Sequence, residues 1–394
     1  MKVVLLAGEE SGVLYAERLK DELRKAAGDE VAFRGYDTEG FKTGDLAVMG
    51  FWPVLKRLGY FLGVAKTMKR VLATWKPDVL VTIDYPGLNL KLAAYAKTLG
   101  IPTVHIVCPQ VWAWHQDRIP KIAAVLTKLL CFFPFEPALF AKTGLDAKFI
   151  GHPLVDVFTA EDAARAPGSA AQASDGPVLA LLPGSRLGEI RRHLPRFLKA
   201  LELLAKDAST SAARLVVRIP AANARAAAEI RRLALEAGGR LEEGDDAVFH
   251  FPFSTLRLQQ GGARELLRHA TCAVVASGTA TLEAALARCP TVLVYAVSPI
   301  LAWFARRVIK GIHYIGLANV IWEKSGGTGE PPMTELLQEA FTPEAVADQL
   351  RALLTDTAAR QAARRRLDAA MSLLHSDGDA LGLAAREICS AVSA

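Results

Sequence analysis

Short apolar runs alternate with longer amphipathic stretches along most of this chain, and that alternation constrains its fold more than any other feature. "KVVLLAG", "PDVLVTID", "PTVHIVCP" and "KLLCFFPFE" are such runs in the first half, and "PVLALLPGSR", "RLVVRIPA", "TCAVVASGT" and "PTVLVYAV" follow in the second. A strand with one wet face alternates apolar and polar residues. An unbroken apolar strand is covered on both faces, as in a parallel sheet between helix layers. The stretches 12–27, 90–99, 189–207 and 222–237 read as those helices. At 394 residues the chain is too long for one ordinary core, so two domains are expected. The segment 159–177, "TAEDAARAPGSAAQASDGP", has little to bury and reads as the linker. The fold class is therefore α/β, with Rossmann-like doubly wound domains at 1–165 and 176–342 and a helical segment at 343–394.

Composition narrows the function. Half the residues are hydrophobic and 22% are charged, as in a packed globular protein. The net charge of +6 suits an anionic partner: a nucleotide, a phosphorylated lipid, nucleic acid or a membrane surface. No nucleic-acid motif is present, so that partner is set aside. Five scattered cysteines without a CxxC pair argue against a disulfide framework or structural zinc, and fit a reducing cytoplasm. The opening "MKVVLLAGEESG" is too short in its apolar run for a signal peptide and ends on two glutamates. No stretch approaches the roughly 20 apolar residues of a spanning helix.

Ligands of doubly wound sheets bind outside the carboxyl ends of the strands, so the strand-ending turns carry the chemistry. In "LLPGSRLGEI" a buried strand ends in Gly184, Ser185 and Arg186 before a helix. Free N–H groups at a helix start attract phosphate, and a guanidinium can grip it with two bonds. "VVASGTATLEAAL" repeats the design with Ser277, Gly278 and Thr279, and Glu283 follows one turn later, placed to accept from sugar hydroxyls. Two such turns and an acid suggest a nucleotide diphosphate site; neither turn is a Walker sequence or GxGxxG. In the first half, "AGEESG" carries Gly8, Glu9, Ser11 and Gly12 at another strand-to-helix turn. "VTIDYPGLN" leaves Asp84 at the end of a buried strand, a candidate general base if it faces a solvated cleft and an N-cap otherwise. His152 in "FIGHPLVD" follows another strand. The "DGD" at 377–379 has no strand before it, and no metal-ligand spacing is present, so neither metal nor cofactor is expected.

The stretch 51–76, "FWPVLKRLGYFLGVAKTMKRVLATWK", contains no acid and interleaves aromatics with lysine and arginine. Such a pattern suits an interfacial helix on anionic lipid, with Phe51, Trp52, Leu55, Tyr60 and Phe61 as its contacts. The stretch 298–316 repeats it. "VCPQVWAWHQDR" places Trp112, Trp114, His115 and Arg118 after a first-half strand; alternation in an extended segment would send both tryptophans to one side, and the alternative is that one or both anchor the loop against the sheet.

With these motifs in view the chain resembles the lipid-A-disaccharide synthase family, inverting glycosyltransferases of bacterial outer-membrane lipid assembly. The likeness runs in order through "AGEESG", "LAVMG", "PDVLVTIDYPGLN", "CPQVWAW", "FPFEPALF", "FIGHPLVD", "LALLPGSRLGEI", "ASGTATLEAALARCPTVLVY" and "TELLQE". It departs at Val13, across "RGYDTEGF" (34–41), at Gly87, at His115 and across 320–333. The resemblance implies a GT-B architecture, two domains facing across a cleft with the C-terminal helices returning to the first. It implies UDP-2,3-diacylglucosamine as donor and 2,3-diacylglucosamine 1-phosphate as acceptor, with no metal. UDP would be held by Gly184, Ser185, Arg186, Ser277, Gly278, Thr279, Glu283 and Asn319, and Asp84 would be the base. The acceptor side would comprise Gly8, Glu9, Ser11, Gly12, Trp112, His115, Arg118 and His152, with the stretch after "LAVMG" touching the inner membrane from the cytoplasm, and a homodimer is a family tendency. The alternatives are another GT-B enzyme acting on a UDP-amino sugar, such as an N-acetylglucosaminyl transferase or a 2-epimerase, and a homologue that binds without turnover.

Overall fold

The computed structural model describes residues 1–8, 10–28, 30–41, 58–164, 176–207, 215–242, 244, 247–298, 302–303 and 313–393. Its contacts divide it into two units, 1–157 with 374–394, and 158–373.

The first unit is a six-stranded parallel sheet of β1 (Lys2–Ala7), β2 (Ala32–Arg34), β3 (Val79–Ile83), β4 (Thr103–Ile106), β5 (Lys128–Cys131) and β6 (Asp146–Phe149), in the order β2-β1-β3-β4-β5-β6. Successive side chains of a strand point to opposite faces, and β1 uses both. Val4 and Leu6 pack with Val64, Met68 and Leu72 of the helix Leu58–Trp75. Val3 and Leu5 pack with Leu19 and Leu23 of the helix Glu10–Ala27 and with Ala384, Ala385 and Ile388 of the helix Ala380–Ser393. Burial on both faces is why the inner strands β1, β3, β4 and β5 read as apolar runs, whereas β2 and β6 at the edges do not.

The second unit holds an eight-stranded sheet of β7 (Val178–Leu182), β8 (Val216–Ala221), β9 (Arg240–Glu242), β10 (Ala247–His250), β11 (Thr255–Gln260), β12 (Cys272–Ala276), β13 (Thr291–Tyr295) and β14 (Thr334–Leu337). Their order is β14-β13-β12-β7-β8-β11-β10-β9. The pairs are parallel except those of β10 with β9 and β11. The helix Leu187–Ala205 buries Ile190, Leu194, Phe197, Leu201 and Leu204 along one stripe, the spacing of an amphipathic helix.

Two differences from the sequence reading are physical. The strands between 240 and 260, at the β9 end of the sheet, alternate more buried positions with more open ones and so carry no continuous apolar signal. The helices Pro343–Thr355 and Thr357–Ser372 stay in the second unit, where Val346, Ala347 and Leu350 join its core. Only 374–394 lies with the first unit. There Leu374 O accepts from His152 N–H at 3.3 Å, and Glu387 pairs with Lys128 and Lys148. The linker residues 165–175 lie outside the described residues.

Among the described residues no helix is long and apolar enough to cross a membrane. Ile388 is wholly buried against β3 and β4 residues. Ile388→Ala should cost about 2–5 kcal/mol, read as an earlier urea transition; an unchanged midpoint would show that the C-terminal helix does not support the first unit.

Candidate active site

In the second unit the chain runs from β7 to β8 on one side and later returns to place β12 on the other, with Leu182 opposite Val275. The crevice of a doubly wound sheet opens at such a reversal. Both glycine turns therefore end there, although about 90 residues separate them in sequence. They line one cavity of about 330 Å³, with Gly184, Ser185 and Arg186 on one wall and Ser277, Gly278 and Thr279 on the other. That size suits a small-molecule site. Gly184 sits at φ +111°, and a Cβ there would come within 2.7 Å of the Glu189 Cβ. Gly278 sits at φ +152°, a conformation side chains rarely adopt, just before the helix Thr279–Leu286. The first N–H groups of that helix have no intrahelical acceptor and carry its positive dipole end.

Arg186 caps the helix Leu187–Ala205 with an extended backbone, and its guanidinium is two-thirds exposed while donating to Glu189 Oε1 at 3.0 Å. Glu283 also lines the cavity, and burial raises its carboxyl pKa against the pull of Arg264, whose Nε lies 3.8 Å away. Arg264 is shared with Glu161 at 2.8 Å. The cavity thus offers positive potential at two helix starts and an acceptor at its side, a set suited to a diphosphate joined to a hydroxylated group. Glu189 and Arg264 were not read from the sequence; a glutamate three residues after a cap is the one local signal. Asn319 is fully buried and does not line this cavity. Its Nδ2 donates to Met333 O and Glu335 Oε1, its Oδ1 accepts from Met333 N–H, and it ties the helix Leu317–Lys324 to β14.

In the first unit the reversal lies between β1 and β3, and their ends carry Gly8 and Asp84. Asp84 and Tyr85 are both left-handed, at φ 50°. Two consecutive non-glycine residues in that region store strain, which persists only where the surroundings enforce it. Asn89 does so: its Nδ2 donates to Asp84 O at 2.8 Å, and its Oδ1 accepts from Tyr36 OH at 2.7 Å. The Asp84 carboxylate accepts from Tyr85 N–H at 2.7 Å, and burial raises its pKa, a shift that this hydrogen bond opposes. A half-buried carboxylate with a raised pKa is a stronger base than an ordinary one. Gly8 is forced by Tyr85, since a Cβ would meet that ring at 2.5 Å. Gly12 leaves room for ordinary contact, and a Cβ at Gly87 would stand in open space. Val13 packs against the core. Glu9 and the side chain of Ser11 lie outside the described residues.

The tryptophan segment does not alternate. Residues 111–113 form a turn and Gln116–Arg118 a 3-10 turn, so Trp112 is buried against Phe135 while Trp114 is 47% exposed beside His115. His115 is left-handed at φ 61° and exposed, and Arg118 is half-buried. His152 is buried, accepts from Leu154 N–H at 3.1 Å and lies against Phe132. Burial lowers its pKa to about 4, so it is neutral at pH 7.

Residues 3–378 match the family described as lipid-A-disaccharide synthetase. A lipid-A-disaccharide synthase of Myxococcus xanthus is 34% identical, over 91% of this chain and 90% of that one. The chain belongs to this family. It is a hexosyltransferase of lipid A disaccharide synthesis. Solved structures agree on a GT-B fold. Acinetobacter baumannii MurG superposes with a TM-score of 0.54 at 13% identity, covering 99% of each chain. The 2-epimerase of Methanocaldococcus jannaschii, solved with UDP-GlcNAc and UDP, gives 0.55 at 12% identity over 99% of this chain and 100% of its own.

One cluster of this lipid-A-disaccharide synthetase family member escaped the sequence reading, which saw its cysteines as scattered. Among the described residues, ligating atoms of Cys108, Cys131 and Glu136 lie within 4.8 Å of one another, the one group that can hold a metal ion. Cys108 and Glu136 both favour their protonated forms. The Cys108 thiol donates to Pro109 O at 3.3 Å, and its hydrogen bond with Cys131, together with burial, raises its pKa. Burial pushes the Glu136 carboxyl up to about 8, against the Phe133 N–H, which donates to its Oε2 at 3.1 Å. A carboxyl raised on folding binds its proton more tightly in the folded state, so its contribution is lost as pH rises from its ordinary value toward 8. Wild type should lose more stability than Glu136→Gln between pH 5.5 and 8 in urea titrations; parallel losses would exclude a buried neutral Glu136.

Proposed function

We propose that the chain transfers the diacylglucosaminyl group of UDP-2,3-diacylglucosamine to 2,3-diacylglucosamine 1-phosphate, releasing UDP with inversion at the anomeric carbon. The observation that carries this reading is the pairing of the two glycine turns around one cavity with Arg186 and Glu283, in a member of this family. Gly184 to Arg186 and Ser277 to Thr279 hold the diphosphate by backbone N–H groups and the guanidinium, and Glu283 accepts from the sugar hydroxyls. Asp84 takes the proton of the acceptor hydroxyl as its oxygen attacks the anomeric carbon. The bonding pair to that carbon leaves with the β-phosphate oxygen, whose charge the helix starts and Arg186 stabilise. Purified protein given the acylated pair should form disaccharide and UDP. Asp84→Asn should lower kcat by about 10²–10⁴, and Arg186→Ala should lower kcat/KM by about 10²–10³. Full activity of Asp84→Asn would remove the base assignment, and turnover of UDP-N-acetylglucosamine instead of the acylated donor would favour a soluble-sugar enzyme.

Diacylated substrates call for contact with anionic inner-membrane lipid from the cytoplasmic side, through Trp52 and the start of the helix Leu58–Trp75. Phe51, Trp52 and Leu55 lie outside the described residues. Tyr60 and Phe61 are half-buried, with Phe61 6.5 Å from Tyr85, so they serve the core as well. Leu62 is 62% exposed on the same turn, and Lys66, Lys69 and Arg70 follow. Trp52→Ser with Leu62→Ser should reduce sedimentation with phosphatidylglycerol vesicles while leaving the thermal transition in place. Undiminished sedimentation would refute this contact.

A further inference from the structure

His193 lies in the second turn of the helix Leu187–Ala205 and is fully buried. Its Nδ1 is 2.8 Å from the carbonyl oxygen of Pro183, and its Nε2 is 3.3 Å from the backbone nitrogen of Ala296. A carbonyl only accepts and an amide N–H only donates, so one state fits both contacts: a neutral ring with the proton on Nδ1 and a lone pair on Nε2. Arg192 Nη1 donates to Ala296 O at 3.1 Å, so neighbouring residues of one helix hold both polar groups of Ala296. The ring is seated against Tyr295 and Phe341.

We propose that His193 is a positioning residue for the diphosphate end of the cavity, fixing the peptide that carries the Gly184 N–H. This rests on the reading of that cavity as the UDP site. Pro183 has no N–H, so its buried carbonyl is its sole backbone handle. The Pro183 carbonyl and the Gly184 N–H belong to one trans peptide plane and point in opposite directions. Holding the carbonyl to His193 therefore turns the Gly184 N–H away from the helix, at a residue that lines the cavity. Losing the bond would leave a buried carbonyl without a partner, and the plane would rotate to find one. The Ala296 contact ties the exit of β13 to the same ring, so the turn after β7 and the exit of β13 share one anchor.

Three substitutions separate the two bonds. His193→Phe keeps a ring and removes both. His193→Asn restores a donor near the Nδ1 position, and His193→Gln restores an acceptor near the Nε2 position. UDP affinity by calorimetry should weaken about tenfold in the Phe variant, the size of one net hydrogen bond. The Asn variant should return most of that affinity and the Gln variant little of it. Amide hydrogen exchange at 184–186 should quicken in the Phe and Gln variants and stay slow in the Asn variant. A merely structural histidine would lower the melting temperature in all three without this order. Unchanged exchange at 184–186 in the Phe variant, or equal UDP affinity in the Phe and Asn variants, would overturn the proposal. If wild type fails to bind UDP while exchange follows the expected order, the reading of the cavity fails and the anchor stands.

Discussion

Strand pairing out of chain order is the constraint on which the rest of this protein depends. β3 lies on the opposite side of β1 from β2, and β12 lies on the opposite side of β7 from β8. Each reversal sends successive crossovers to opposite sides and leaves a crevice at the carboxyl ends of two adjacent strands. The strands are held there by burial on both faces, as in β1, where Val3, Val4 and Leu6 are wholly buried. Asp84, Gly8 and both glycine turns acquire their surroundings from these reversals, so disturbing either sheet disturbs its crevice.

The two crevices differ in the groups they present. The one in the second unit gathers helix starts, backbone N–H groups and Arg186, all favouring an anion. The one in the first unit holds a carboxylate whose pKa burial raises, on a left-handed turn that Asn89 and Tyr36 secure. Val107 at φ 75°, just past the end of β4, adds to the backbone strain at this edge of the sheet. Strain of this kind gathers where side chains are aimed rather than merely packed.

The turns that line the cavity in the second unit were legible in the sequence, because each is local: a strand, small residues and a helix start stand side by side in "LLPGSRLGEI" and "VVASGTATL". Glu283 was legible for the same reason, one helical turn past its glycine. Asn319 was not, because an asparagine saturated by Met333 and Glu335 looks like any other in a string of letters. Trp112 and Trp114 were assigned to one side by strand alternation, and the turn at 111–113 removes the premise. His193 carried no local signal, since its partners Pro183 and Ala296 belong to separate strand exits.

By itself the sequence determined the class of the fold and the family, because periodicity and motif order are written in neighbouring residues. The tertiary structure alone decided which turns meet, which tryptophan is buried, that Cys108 lies beside Cys131 and Glu136, and that the C-terminal helix returns to the first unit while the two before it do not. Those outcomes follow from non-local strand order and from competition among apolar faces for cover. That competition is resolved only when the whole chain has packed.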